Sequence, residues 1–470
     1  MGKKTKITAL LAGTTLLATG LVPVIAQEAS TGDTTAGGVS MTLGVSSTLR
    51  FNDNLSLSDP SPGNTTLWDN TLSFGLLSET GVATFSFDAA GTVRTSNTPG
   101  RSTETSFDDP SVALRYQLES VDTLFSAEAN YQQVSLRFED PLLGLDDLIE
   151  DGSGPEDPLS LDGVRGRANA RLSFETGRTR PLGFGAAVEY EQTRYWDTTN
   201  TSLFDDDTTR AEVFTRLQFS PVMEGRVELF WEKYDELDDT APNGLRSSRE
   251  TRGATASLSY EIDAITRMNA SLGYTEIDRS DAPNQDGITG AVSITRDFPT
   301  GSLTAEFSSD INTTGRRDTV EVTGAFDLPN GSLTAGVGAT RSNDGDVNFI
   351  GNLGYTHEFA LGTITATLDR SYSNSDAGIE NETTRAALGF DRELTPVSSI
   401  GFDLDYAEVT DIAAASTTAV SGLRATYTHE LTADWGLSTG YEYRRTETTG
   451  ETDRHSNELF LTIEREFRIR

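Results

Sequence analysis

The chain contains no cysteine, which excludes disulfide frameworks, thiolate metal sites and thiol nucleophiles. Histidine is nearly absent too: His357, His429 and His455 are the only three in 470 residues, a thin supply for a metal cluster or a histidine-based triad. Positive charge is short. With 37 basic and 72 acidic residues the formal net charge is −35, which excludes a general nucleic-acid binder, because polyanion binding needs clustered cations to release counterions. Beyond the N-terminus no stretch approaches the roughly 18 uninterrupted apolar residues that a helical membrane span requires. No segment sustains a 3.6-residue apolar period either, so helix is essentially missing from the expectation.

What is present begins with an address. Lys3, Lys4 and Lys6 precede an uncharged apolar stretch from Ile7 to Ile25, and Val24-Ile25-Ala26 fits a small-residue cleavage site. Residues 1–26 therefore read as a secretory signal peptide. Its three lysines are lost on cleavage, leaving 34 − 72 = −38 on the mature chain. Residues 27–38 form a short polar lead, and residues 39–470 read as one domain.

That domain alternates. Ile400, Phe402, Leu404 and Tyr406 interleave with Gly401, Asp403 and Asp405; Leu333, Ala335, Val337 and Ala339 interleave with Thr334, Gly336, Gly338 and Thr340; the run from Leu431 through Trp435 to Tyr443 does the same. A period of two puts each set on its own face of a pleated strand. Connections alternate as well. Short turns such as Pro299-Thr300-Gly301 and Pro329-Asn330-Gly331 are separated by longer acidic segments at 52–65, 137–162, 197–207, 236–247, 279–286, 375–383 and 445–456. Thr300-Gly-Ser-Leu-Thr-Ala305 returns as Asn330-Gly-Ser-Leu-Thr-Ala335 and as Leu361-Gly-Thr-Ile-Thr-Ala366, at spacings of 30 and 31 residues. Short and long connections in turn describe an up-and-down meander with two unlike rims.

Two features favour a transmembrane antiparallel β-barrel over a soluble β-protein. Aromatic residues on the apolar parity (Phe184, Phe219, Trp231, Phe298, Phe326, Tyr355, Phe359, Phe390, Tyr427 and Trp435) are expected near short turns, as an interfacial girdle requires. The other parity is too charged for a dry interior, where each unpaired ion would cost roughly several kcal/mol: Arg165, Arg167, Asn169 and Arg171 share one face, Glu224, Arg226, Glu228 and Glu232 another. Apolar residues would then meet lipid and polar ones a water-filled lumen. The segment count is about 22 strands (range 18–22), at about 20 residues for each strand with its connection, against membrane strands of about 9–11 residues.

The C-terminus carries a family resemblance. Leu459, Leu461, Ile463, Phe467 and Ile469 share one parity of the last strand, which resembles the closing-strand insertion signal of Gram-negative outer-membrane β-barrel proteins of the porin-like class. The chain departs from that pattern by following Phe467 with Arg468-Ile469-Arg470. The resemblance implies residence in the cell outer membrane, contact with outer-membrane lipid and lipopolysaccharide, and handling by the barrel-assembly machinery. TonB-dependent transporters have 22 strands and an N-terminal plug. Here only Gln27 to Gly38 precede the first strand, so no plug domain is expected.

Chemistry is sparse. His357 and His429 lie in repeated Tyr-Thr-His-Glu contexts near short turns and read as girdle residues, while His455 is expected in an exposed loop. No enzyme, cofactor or metal signature stands out. The expected function is a passive channel for small polar solutes or ions. Its expected rivals are an export conduit for a polymer such as an exopolysaccharide, and a structural or adhesive barrel. The expected site is a lumenal basic ladder of Arg115, Arg165, Arg167 and Arg171. It would be faced by the longest connection if that folds inward with Asp140, Asp146, Asp147, Glu150, Asp151, Glu156 and Asp157. The remaining lumenal parity is mainly acidic (Glu189, Glu191, Glu228, Glu306, Asp403 and Asp405), which implies a cation preference.

Overall fold

The computed structural model describes residues 38–139, 162–200, 203–238, 244–343, 345–374 and 379–469. Among them run 22 strands: β1 Gly38–Asn52, β2 Thr65–Glu79, β3 Ala83–Asn97, β4 Glu104–Glu119, β5 Thr123–Ser135, β6 Val164–Thr176, β7 Leu182–Trp196, β8 Asp205–Ser220, β9 Met223–Leu237, β10 Leu245–Asp263, β11 Thr266–Arg279, β12 Gln285–Phe298, β13 Gly301–Asn312, β14 Gly315–Leu328, β15 Gly331–Arg341, β16 Val347–Phe359, β17 Gly362–Asn374, β18 Glu380–Thr395, β19 Ser398–Asp411, β20 Ser416–Glu430, β21 Trp435–Thr448 and β22 Arg454–Ile469. Each pairs antiparallel with its sequence neighbours, and β1 pairs with β22 from Met41 opposite Ile469 to Asn52 opposite Glu458. No edge is left open, so the wall satisfies its backbone groups within lipid.

The alternation becomes two faces. On β15, Val337 is 73% exposed and points outward, whereas Thr340 is 3% exposed and Gly336 is buried on the concave side. The repeated Thr-Gly-Ser-Leu-Thr-Ala motif is the start of a hairpin strand. Gly301 (φ 153°) and Gly331 (φ 151°) sit where a β-carbon would collide with the carbonyl oxygens of Ala325 and Thr356 on the next strand. Glycine is required there by the close approach of two backbones.

Two outward belts bound the apolar band. At the short-turn end, the His357 ring lies 5.3 Å from Phe359 and is stacked 6.2 Å from Tyr355, and Tyr427 stacks on His429 at 6.2 Å. At the long-connection end the tyrosines point their hydroxyls away from the band. Tyr190 donates to Asp207 (2.7 Å), Tyr274 to Asp286 (2.5 Å), Tyr406 to Glu408 (2.5 Å), Tyr441 to Asn457 (2.6 Å) and Tyr372 to Glu382. Such tips mark the passage from hydrocarbon to polar headgroups. Trp231 belongs to this second belt, not to the short-turn girdle expected for it: its indole donates to Glu250 at 3.0 Å, far along β9 from its short turn.

Several expected long connections are shorter than their sequences suggest, because the strands run on beyond the bilayer: 445–456 narrows to 449–453, 375–383 to 375–379 and 236–247 to 238–244, whereas 52–65 is nearly unchanged at 53–64. His455, expected in a loop, lies in β22 opposite Arg445 and stacks on Tyr443 at 6.2 Å. Residues 431–434 form the short turn that their sequence also suggests, so the alternation that runs on from Leu431 becomes strand only at Trp435. Above the hydrocarbon the backbone ladder continues in water with polar side chains on both faces, and alternation no longer reports it.

Candidate functional site: the lumenal wall

All four arginines of the expected ladder face the lumen. Arg115 on β4 lies opposite Glu128 on β5, and Glu128 lies opposite Arg171 on β6. The row continues through Glu189 on β7 and Arg210 on β8 to Glu232 on β9. Six neighbouring strands therefore carry alternating charge in one cross-strand belt. Arg171 meets Glu189 at 2.7 Å and Glu212 at 3.6 Å, and Arg210 is paired with Glu232. Directly opposed opposite charges contribute about 0.2–1 kcal/mol each in a sheet. A second belt runs lengthwise on β9, where Arg226 holds Glu228 at 2.6 Å and covers the Phe214 ring at 3.6 Å.

Nearer the long-connection rim, Arg165 is 6% exposed and bonds Glu139 at 2.5 Å, while Arg167, one row from Arg165, faces Gln132 and Thr193. The acidic partners expected across the opening (Asp140, Asp146, Asp147, Glu150, Asp151, Glu156 and Asp157) lie outside the described residues. The chain enters that segment through a 3₁₀ turn at Leu136–Phe138, whose Phe138 ring sits 4.6 Å from the Arg94 guanidinium on the inner wall.

Of the expected lumenal carboxylates, Glu189, Glu191, Glu228, Glu306, Asp403 and Asp405 all take the inward parity of their strands. A ring of carboxylates was missed. Glu261, Asp297, Asp327, Glu358, Glu393 and Glu430 occupy the lumenal side of six successive even-numbered strands at the short-turn mouth. Each backbone N–H donates to the carbonyl of the preceding turn at 2.7–2.8 Å. The signal was available: an acid recurs within the last few strand residues before the short turns that follow these six strands. Leu459, Leu461, Ile463, Phe467 and Ile469, expected from the sequence to carry an insertion signal, form the outward row of β22 along the closing seam. Arg465, on the same row, rests over Phe467 at 4.3 Å and Trp435 at 5.4 Å.

No family model and no curated protein matches this chain. Solved structures do. The ferric-catecholate import receptor Fiu from E. coli covers 92% of this chain and 82% of its own length at TM-score 0.59 and 10% identity. The FrpB iron transporter from Neisseria meningitidis covers 91% and 82% at TM-score 0.58 and 8% identity. A variant of the ferric enterobactin receptor PfeA from Pseudomonas aeruginosa, solved with enterobactin, covers 92% and 82% at TM-score 0.55 and 10% identity. At such identities the likeness is one of fold: this chain shares the closed 22-stranded antiparallel β-barrel of these structures, which are named as receptors and a transporter.

The comparison corrects the expected function. A passive, cation-preferring channel implies likeness to porins, whereas these barrels are named as import receptors and an iron transporter. An export conduit or an adhesive barrel finds no counterpart among them either. Strand number bears on the width of the lumen. Barrel diameter grows with it: porins of 16–18 strands already hold an aqueous channel, and barrels of about 22 strands are transporters with a filled lumen.

Proposed function

We propose that this barrel is the outer-membrane part of a ligand-selective transport system of the receptor type. Cargo binds at the long-connection end and along the charged belt, and passes only when a coupled partner opens the way. The observation that carries this reading is the closed wall of 22 strands, shared over nine-tenths of the chain with the iron receptors. A tube of that width standing open would admit solutes without selection.

The first cargo class to test is the one those receptors are named for, a ferric siderophore. Its anionic oxygens would exchange onto Arg171 and Arg210 in place of Glu189 and Glu232, a swap between charge-assisted bonds of similar strength, with Arg115 in the same row as a further cation. Delivery to the membrane is assigned to residues 1–26 as a signal peptide, and insertion to the outward row ending at Ile469. The test is uptake of a radio-iron ferric catecholate by cells whose own receptors are deleted and which express this chain. Uptake should saturate with concentration, stop when the proton-motive force is collapsed, and weaken when Arg171 and Arg210 are both changed to Gln. Uptake that rises linearly with concentration and ignores the uncoupler would contradict the proposal.

A further inference from the structure

On the lumenal face of β14–β16 three side-chain oxygens converge over a glycine. Thr323, Gly336, Asn352 and Asp369 form one cross-strand row, and Glu306, Glu321 and Gly338 form the next. Gly336 has no β-carbon, and its neighbours lean into the notch that this leaves. A carbon placed there would lie 2.7 Å from Glu321 Oε1 and 2.8 Å from Thr323 Oγ1, with Asn352 Oδ1 nearer still. The Thr323 hydroxyl donates to Glu321 at 3.1 Å. Asn352 Oδ1 is buried and accepts no hydrogen bond. Glu306, Glu321 and Asp369 form no ion pair among the described residues, unlike the belt on β4–β9. Three acceptor oxygens, one of them charged, thus face one another with a single hydroxyl proton between them, an arrangement that costs free energy unless a cation sits among them.

We infer that Glu321, Thr323 and Asn352 form a binding site for calcium on the lumenal wall over Gly336. The donors are all hard oxygens of three kinds, carboxylate, hydroxyl and amide carbonyl, as calcium takes, and water from the lumen completes its six to eight ligands. Magnesium, which holds its own water shell tightly, and soft metals, which need sulfur or nitrogen, fit this set poorly. No group of three or more His, Cys, Asp or Glu is placed to hold a metal among the described residues, so the site rests on one carboxylate and two neutral oxygens. Its affinity therefore belongs to the weak range of extracellular calcium modules, about 10⁻⁴–10⁻³ M. The inference stands apart from the nature of the cargo.

The test is equilibrium dialysis of the full chain in detergent against radiolabelled calcium, over a background of sodium and excess magnesium. Gly336→Ala puts a methyl group where the oxygens meet, and should remove one bound calcium per chain while the folded band on an unheated gel is unchanged. Asn352→Asp adds a second carboxylate and should tighten that site at least about tenfold, since calcium affinity follows ligand charge. Equal calcium stoichiometry in wild type and Gly336→Ala would overturn the inference. So would Asn352→Asp leaving the affinity unchanged, the result expected if the amide instead turns its nitrogen to Glu321 and the cluster is satisfied without metal. If Gly336→Ala does not fold, Asn352→Asp decides alone.

Discussion

Val337 and Thr334 lie three residues apart on β15 and face opposite solvents. Val337 points into lipid, so Val337→Arg should destabilise the barrel by about 2–4 kcal/mol in vesicle unfolding titrations if the site is near the midplane. Thr334→Arg, on the lumenal side, should cost distinctly less; equal costs would show that the faces are exchanged. Gly338 is unsuited as the lumenal control, because any β-carbon there would stand 2.5 Å from the Val320 carbonyl. At the short-turn rim Asp122 offers a pH test. The Thr179 hydroxyl (2.9 Å), helped by the Thr179 amide and Arg180, holds its carboxyl below the usual range. A depressed folded value means that the tie between these two turns is fully present above the unfolded carboxylate pKa, about 3.9, and is lost as pH falls through the lower folded one. The protection factor of the Thr179 amide, its exchange rate taken relative to the intrinsic rate at each pH, should therefore stay high at pH 5 and fall only in acid below the unfolded value; a fall already at pH 5 would rule the tie out. Face assignment at this scale was legible, since Val337 and Thr334 differ in parity. The oxygen cluster over Gly336 was not, because its members come from three strands and meet only through register.

Elements show the same division. Several short-turn hairpins could be read from turn residues and repeat, among them those at Pro299-Thr300-Gly301 and Pro329-Asn330-Gly331, yet the alternating row from Arg115 to Glu232 could not, because the register that aligns it is set by five successive connections. Arg165, Arg167 and Arg171 look from the sequence like one basic stripe along β6. Across the sheet Arg171 is neutralised by Glu189 and Arg165 by Glu139. A buried node further ties the first four strands. Arg94 on β3, 4% exposed, meets Asp69 on β2 at 2.8 Å and Asp109 on β4 at 2.9 Å, and Asp69 also holds Arg50 on β1 at 2.8 Å. Arg94→Ala leaves Asp69 with Arg50 alone and Asp109 without its cation, and should cost about 1–3 kcal/mol in equilibrium unfolding. A loss under about 1 kcal/mol would mean that water replaces the guanidinium and that the node does not hold the strands.

At the scale of the molecule, the count of 22 strands was legible because short turns and long connections alternate over the whole length. Function was not legible, since strand number fixes the width of the lumen but not what passes through it. Closure is the claim on which the rest depends: only a sealed wall gives a lumen in which the charged belt and the oxygen cluster have meaning. The seam joins residues more than 400 apart in sequence, with the hydroxyls of Thr48 on β1 and Thr462 on β22 meeting at 2.9 Å on the lumenal side. Because the chain has no cysteine of its own, Thr48→Cys with Thr462→Cys provides the only possible disulfide. Mild oxidation in outer membranes should close the chain into a covalent ring within one molecule, which runs as a faster monomer band on a denaturing gel without reductant and reverts when reductant is added. Absence of that band, or bridges formed only between molecules, would contradict a closed barrel of 22 strands.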